Sequence, residues 1–252
     1  MTSISDSETT CDGFLGGRLN VIQPRRGYRA GIDPVLLAAS IPARPGQSVL
    51  ELGCGTGVAL LCLGVRVAEL GLTGLELQPL YADMARQNAA RNEIAAEIVI
   101  GDVAAPPPEI RSRRFHHVIA NPPYYEASSG TPASEDDREQ ARRERLDLAA
   151  WIDTGARRLL PRGTLSIVQR AHRLPDLLAA MAPRLGGLDI RPIQPRPGRP
   201  ATLVIVHGVK ESRTPPILRA PLVVHAAETH LKDGDDYSAA LAAVLRGCAA
   251  LP

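Results

Sequence analysis

The sequence has no apolar run approaching the roughly 18 residues that a membrane-spanning helix requires, so neither a membrane partner nor a membrane anchor is expected. Residues Met1–Cys11 are rich in Ser, Thr and acid. They lack the basic start and apolar stretch of a secretory signal, so the expected address is cytoplasmic. There are only four cysteines, Cys11, Cys54, Cys62 and Cys248, with no C-x-x-C pair and no histidine at zinc-ligand spacing. They read as free thiols, and no metal is expected. The six histidines are equally dispersed, and one of the adjacent His116 and His117 is expected to face solvent. A net charge of +2 excludes the global basic bias of a protein that coats nucleic acid. No internal repeat is visible.

The chain of 252 residues, 44% of them hydrophobic, is long enough for one sizeable domain with a substantial core. From Pro45 onward strand-like and helix-like patterns alternate, which is the mark of an α/β fold with a parallel sheet covered on both faces. Strands are expected at Ser48–Leu52, Leu72–Glu76, Glu97–Ile100 and Phe115–Ala120. Helices are expected at Val58–Leu70 and from Pro79 to about Asn92, where proline suits the first turn. A helix over Leu146–Leu160, a turn at Pro161–Gly163, a strand Thr164–Gln169 and a helix Leu174–Leu185 follow. The connector Gln194–Pro200 is short enough for a hairpin between strands Leu188–Ile193 and Ala201–Val209. The last strand should therefore run antiparallel in a doubly wound, Rossmann-like sheet of about seven strands. Four parts are expected: a disordered 1–11, a covering segment 12–45, the main domain 46–210, and an appendage 211–252 with a strand at Pro221–His225 and a helix from about Tyr237.

Glu51-Leu52-Gly53-Cys54-Gly55-Thr56-Gly57 lies between a strand and a helix, at the sheet edge where doubly wound folds bind ligands. Val58 stands where the dinucleotide pattern G-x-G-x-x-G has its third glycine, which weakens a nicotinamide reading. The acid Glu51 suits a cationic ligand end such as an ammonium, and it does not suit a pyrophosphate. Glu76, with Leu77 beside it, ends the next strand, where it can accept hydrogen bonds from ribose hydroxyls. Asp102, with Val103, ends the third strand and can hold the exocyclic amine of adenine; a turn cap is the alternative reading.

Asn121-Pro122-Pro123-Tyr124 follows the fourth strand directly. The prolines fix the backbone, so the Asn121 side-chain oxygen and the Pro122 carbonyl can both accept protons from one planar amine. Such an amine is a poor nucleophile. Two acceptors pull it toward pyramidal form and aim its lone pair at a sulfonium methyl. Tyr124 offers a face on which an extruded base can stack. The bland alternative for these four residues is a rigid turn closing a strand; their place one strand beyond an acid-flanked glycine loop favours catalysis.

With these segments in place the sequence resembles the class I methyltransferases, over roughly residues 12 to 230. Glu51–Gly57 looks like their first motif, Glu76 like the ribose-binding acid, Gly101-Asp102 like the adenine-side motif and Asn121–Tyr124 like the motif of amine methylators. The resemblance implies S-adenosylmethionine as cofactor, held by Glu51, Gly53, Cys54, Gly55, Gly57, Glu76, Leu77, Asp102, Val103 and Asn121. Gln23–Arg29 followed by Ile32–Ala38 resembles the amino-terminal segment of the bacterial tRNA adenine-N6 methyltransferase family, which modifies the adenosine beside the anticodon of a valine tRNA. That likeness makes Tyr28 and Asp33 pocket candidates, with Asp33 as a helix cap and Pro34 in its first turn as the other reading. It also makes RNA, and tRNA in particular, the expected substrate.

The rivals are a protein glutamine N5-methyltransferase, which uses the same motif on a similar amine, a DNA adenine methyltransferase, a nicotinamide-dependent oxidoreductase and a non-catalytic binding module. About fifty residues precede the glycine loop, too few for the longer helical domain of the glutamine enzymes, and no insert is large enough for a DNA-recognition domain. Arginines gather at Arg25-Arg26-Arg29, Arg111-Arg113-Arg114, Arg142-Arg143-Arg145 and Arg191-Arg196-Arg199. They are either solvated surface or phosphate contacts, if the fold brings them to one face. The polar stretch Tyr125–Arg145 reads as a long loop that grips the nucleic acid. Replacing Arg142, Arg143 and Arg145 with alanine is expected to weaken RNA binding and flatten its salt dependence; binding that does not change refutes the reading.

Overall fold

The computed structural model describes residues 8–27, 29–123, 148–227 and 236–252. Tyr28, Tyr124, Arg142, Arg143 and Arg145 lie outside them. The chain opens with an antiparallel pair, β1 (Thr9–Phe14) and β2 (Leu19–Pro24), joined through a single turn of 3-10 helix at Leu15–Gly17. After it come α1 (Asp33–Ser40), β3 (Ser48–Leu52), α2 (Val58–Arg66), β4 (Gly71–Glu76), α3 (Pro79–Arg91), β5 (Ala96–Ile100), α4 (Pro108–Arg111) and β6 (Phe115–Ala120). A helix described over 148–157, α5, leads into β7 (Leu159–Arg170), α6 (Leu174–Met181), β8 (Leu185–Gln194) and β9 (Leu203–Lys210). Two short strands, β10 (Ile217–Leu218) and β11 (Leu222–Val223), and the helix α7 (Ala239–Gly247) complete the described chain.

The main sheet runs β10-β8-β9-β7-β6-β3-β4-β5, with β11 also paired to β8. Only β9 is antiparallel to its neighbours, β7 and β8; every other pairing is parallel. The doubly wound sheet with an antiparallel last core strand is therefore present, extended at one edge by β10 and β11. Central strands such as β3 are apolar on both faces because both are covered. Val49 enters the core under α1, α2 and α3, while Leu50 and Leu52 enter the core under α5 and α6.

Four expectations need correction. β1 begins at Thr9, inside the stretch expected to be disordered; its alternate residues are only half buried, so no apolar period announced it. The expected turn at Pro161–Gly163 lies inside β7, as a bulge where the register against β6 shifts between Phe115 and His117. Arg162 takes a left-handed φ of 63° there. The helix expected over Val58–Leu70 stops at Arg66, where Val67 turns extended. Neither of the paired histidines is exposed: His116 takes the Ser48 N–H on Nδ1 at 3.1 Å, and His117 is buried with Nε2 at 3.0 Å from Gln47 Oε1.

Burial holds His117, and likewise His207 of β9, down to about 4. Neighbouring cationic groups add to the effect at both, and Asp189 opposes it at His207. His207 Nδ1 lies 2.7 Å from Ser166 Oγ. The unfolded chain takes up these protons near pH 6.5, whereas the folded chain refuses them until about pH 4. The fold is therefore undisturbed by either group above pH 6.5 and weakens as pH falls from there toward 4, by on the order of 3 kcal/mol per histidine at the lower end. Denaturant unfolding across pH 7 to 4 should show this loss, and His117→Gln should flatten it; a variant that tracks the parent protein at every pH contradicts the assignment.

Candidate active site

A cavity of about 440 Å³ opens at the carboxyl ends of β3, β4 and β6. This is the point where the chain order reverses direction along the sheet, the place where open α/β sheets hold ligands. Three glycines of the loop between β3 and α2 take left-handed backbone angles: Gly53 at 60°, Gly55 at 55° and Gly57 at 87°. At Gly53 a second constraint acts, because a Cβ would stand 2.3 Å from Trp151 Cη2. The loop is thus pressed between its own turn and the indole of α5, leaving its backbone open to the cavity.

The acids are placed by backbone amides. Glu51 is 3% exposed and accepts the Leu60 N–H at 2.9 Å. Burial, reinforced by the charge of Glu76, pushes its carboxyl well above the usual range despite that bond. Glu76 accepts Gly55 N–H at 2.8 Å and Gln78 N–H at 2.9 Å, one on each oxygen, so it both shapes the glycine loop and keeps lone pairs for a ligand. Asp102 accepts Ala104 N–H at 2.8 Å and also lines the cavity, so the turn-cap and pocket readings hold together. Thr154 of α5 donates to the Val103 carbonyl at 2.8 Å, pinning this corner to the helix that carries Trp151.

The amino-terminal hairpin is held against the same loop by side-chain amides of α3. Asn88, fully buried, accepts Ile22 N–H at 2.7 Å and donates to the carbonyls of Ile22 and Thr56 at 3.0 and 2.9 Å. One turn on, Asn92 pairs in the same way with the N–H and carbonyl of Asn20. Two asparagines thus replace a neighbouring strand along β2. Within the hairpin, Asp12 takes bonds from Gln23 and Arg29, both at 2.8 Å, and Gln23 accepts Ala30 N–H at 2.8 Å. Ala30 and Pro34 are thereby fixed in the cavity wall.

Of the residues singled out from sequence, Glu51, Gly53, Cys54, Gly55, Glu76, Leu77, Asp102, Val103, Asn121, Pro122 and Pro123 all line this one cavity. Gly57 does not. It is the N-cap of α2, its N–H bonded to the Cys54 carbonyl at 2.8 Å, and its work is to turn the chain. Asp33 does not line the cavity either; it occupies the first turn of α1, whose N-cap is Ile32. Sequence reading missed Tyr81, Trp151, Gln169 and Arg173, which also line the cavity. Gln169 and Arg173 sit at and just after the carboxyl end of β7, next to β6, so the strand-end rule could have found them. Trp151 is the single tryptophan of the chain, a signal hidden by the helical periodicity around it.

The family described as methyltransferase small domain matches residues 30–182, from the cavity wall at Ala30 to the end of α6. The chain belongs to this family. A tRNA1(Val) (adenine(37)-N6)-methyltransferase of Porphyromonas gingivalis is 34% identical over 175 residues, 66% of this chain and 68% of that protein. The enzyme of the same name from Dickeya chrysanthemi is 32% identical over 183 residues, 71% of each chain. Among solved structures, a predicted O-methyltransferase of Agrobacterium tumefaciens superposes with a TM-score of 0.70 at 28% identity, covering 86% of this chain and 97% of that one.

The donor set fits S-adenosylmethionine, the cofactor of class I methyltransferases. A buried acid whose charge is disfavoured waits for a cation, a second acid stands at a strand end, and an exposed apolar edge is supplied by Leu77, 60% exposed. Thr56 adds a buried Oγ1 with no hydrogen-bond partner among the described residues. No group of three or more metal-ligating side chains occurs among the described residues, and no helix of theirs is long and apolar enough to cross a membrane.

Because its folded pKa is raised, Glu51 favours the empty fold below its ordinary value of 4.5 and opposes it increasingly as pH rises. Glu51→Gln should therefore melt at a higher temperature than the parent at pH 8 in the absence of ligand, with the gap shrinking as pH falls. The variant should also bind S-adenosylmethionine at least about tenfold more weakly, as expected for a lost charge-assisted bond. Thermal melts with and without ligand across that pH range read both effects, and equal ligand-induced shifts in parent and variant would rule out Glu51 as a cofactor contact.

Proposed function

We propose that the chain transfers a methyl group from S-adenosylmethionine to the exocyclic N6 amine of an adenine in a structured RNA, a tRNA at the position beside the anticodon. The observation that carries this reading is the convergence of Asn121, Pro122 and Pro123 on the cavity that also holds Glu51, Glu76 and Asp102. The names of the Porphyromonas and Dickeya relatives support the choice of base and RNA.

In this reading Glu51 pairs with the amino-acid ammonium of the cofactor, Glu76 accepts from ribose hydroxyls beside Leu77, and Asp102 with Val103 receives the adenine. The bound cofactor supplies a methyl group on a sulfonium, which needs only a lone pair in line with it. Asn121 and the Pro122 carbonyl accept hydrogen bonds from the two N–H groups of the target amine and so localise that lone pair, and one of the two protons passes to solvent once the nitrogen carries the methyl group. Tyr124 stacks on the flipped base, Trp151 walls the cavity above Gly53, and the rigid prolines hold both acceptors in place without reorganisation.

Transfer to a hydroxyl, as the description of the Agrobacterium protein would have it, makes a different demand. A hydroxyl must lose its proton to a base, and no histidine is among the described lining residues. Their acids lie on the loop and strand ends assigned to the cofactor. Asn121 and a carbonyl are acceptors suited to an amine that keeps one proton.

Incubation of the full chain with total RNA and labelled S-adenosylmethionine, followed by mass spectrometry of nucleosides, should yield N6-methyladenosine. Asn121→Ala should lower turnover by about a thousandfold, the scale set by removing one transition-state hydrogen-bonding group. Cofactor affinity should stay within a factor of about two to three, the size of effect expected where a truncated side chain leaves binding and packing in place. Label in a protein glutamine, or in a 2′-O-methylated nucleoside, would replace this reading.

A further inference from the structure

One of the four arginine groups seen in the sequence acquires partners through folding. Arg111 ends α4 and Arg114 lies just beyond it; both are exposed. Arg114 donates to the Arg111 and Arg113 carbonyls, and Arg158, at the end of α5, reaches the carbonyls of Ile110 and Arg111. Three guanidinium groups thus crowd one short helix end. Arg157 and Arg184, exposed, both grip Asp153, at 3.0 and 2.8 Å. Glu109 and Asp153 are the acids carried by α4 and the described part of α5, against Arg111, Arg114, Arg157, Arg158 and Arg184. The mutual repulsion is felt: Arg158 is pushed down by burial and then by Arg114, Arg157 and Arg111.

In the other described groups the arginines with partners are committed elsewhere, while Arg25, Arg26 and Arg199 are exposed. Arg191 donates to the Pro252 carbonyl and Arg196 pairs with Asp236 at 2.8 Å, tying down the carboxyl-terminal appendage. Arg29 pairs with Asp12 inside the hairpin. Arg113 pairs with Glu97 and lies over the Phe115 ring, away from its neighbours Arg111 and Arg114.

Helix α5 connects this cluster to the cavity. Leu148, Ala150 and Trp151 line the cavity at its start, and Arg157 and Arg158 end it. The cluster lies at the opposite edge of the sheet from the cavity: the Phe115 N–H at the start of β6 bonds the Arg158 carbonyl, and Asn121 follows the end of that strand, roughly 20 Å away, a distance that several nucleotides of a bound strand span. We propose that Arg111, Arg114 and Arg157, with Arg184, form a second contact surface for the RNA backbone, outside the pocket and alongside α5, which holds phosphates flanking the structured region that carries the target base. Arginine is suited to this because its planar fork meets phosphate oxygens two at a time. Arg158 belongs to the cluster as its strut, since its guanidinium is committed to backbone carbonyls. The inference rests on RNA being the substrate and adds where its backbone lies.

The test compares two triple variants of the full chain: Arg111→Ala, Arg114→Ala, Arg157→Ala, and a charge-matched control, Arg44→Ala, Arg91→Ala, Arg213→Ala. Binding of transcribed tRNA is measured from 50 to 200 mM salt together with S-adenosylmethionine affinity. The first variant should bind tRNA at least about tenfold more weakly and lose about two to three from the slope of log K against log salt, near one per phosphate contact removed. Its cofactor affinity should be unchanged, which shows that the fold is intact. The control should keep most of the slope. Equal slopes in the first variant and the parent, or equal losses in both variants, overturn the surface. A parent protein that neither binds nor methylates RNA overturns the proposed function instead. Loss of cofactor affinity in the first variant moves the test to Arg114→Ala and Arg157→Ala singly, each expected to lose about one from the slope and refuted by none.

Discussion

The side-chain amide of Asn88 joins three segments that are far apart in sequence: the second strand of the hairpin, the cofactor loop and the helix α3 itself. It has no access to solvent, so each of its bonds replaces one that water would otherwise have made. Losing it would strand the Ile22 N–H and two carbonyls, at about 1 to 3 kcal/mol for each buried group left unsatisfied. One wall of the site depends on this knot. The hairpin is not part of the main sheet. Without α3 to dock on, the segment that fixes Ala30 and Pro34 in the cavity wall would have no defined place, and Thr56 would lose the bond that sets the loop's exit into α2. A backbone ladder cannot serve here, because the partner of β2 is a helix whose own amides are already used. Two asparagines a turn apart supply the missing donors and acceptors.

The chemistry is divided along the sheet. Strands β3, β4 and the end of β5 present acids held by backbone amides: Glu51 by Leu60 of α2, Glu76 by Gly55 and Gln78, and Asp102 by Ala104. Strand β6 presents acceptors without charge, on a backbone stiffened by proline. Helix α5 closes the space between the two halves: Trp151 rests on Gly53, and Thr154 fastens Val103. A ligand bound between them meets acids on one side and neutral acceptors on the other. On the proposed function, this separation keeps the cationic end of the cofactor apart from the neutral target amine.

The main sheet was readable because its strands are short, apolar runs bounded by glycine, proline and acid, and because buried parallel strands need no alternation. Strand β3 and the start of α3 were placed to the residue for that reason. The pocket acids were readable because they stand at strand ends next to a glycine loop. What escaped was whatever depends on contacts distant in sequence. The hairpin was invisible because its outer partner is a pair of asparagines on a helix. Trp151, Gln169 and Arg173 reach the cavity only through the packing of α5 and the placing of β7 beside β6. The bulge in β7 looked like a turn, since Pro161, Arg162 and Gly163 have turn chemistry whether or not the strand continues through them. Asp33 is not the cap of α1, for a local reason: the helix starts one residue earlier than a capping acid would require.

The buried carboxylate of Glu51 has a consequence outside catalysis. Burial pushes this carboxyl's pKa up, so the fold itself disfavours the charge that a cationic ligand end would meet there. A ligand that binds only the folded state strengthens it with the logarithm of its concentration, by about 2.7 kcal/mol at a hundred times the dissociation constant. For a protein of ordinary marginal stability that is a sizeable share of the whole. A chain held folded by its cofactor opens less often, and so offers less of itself to proteolysis, without a dedicated regulatory site.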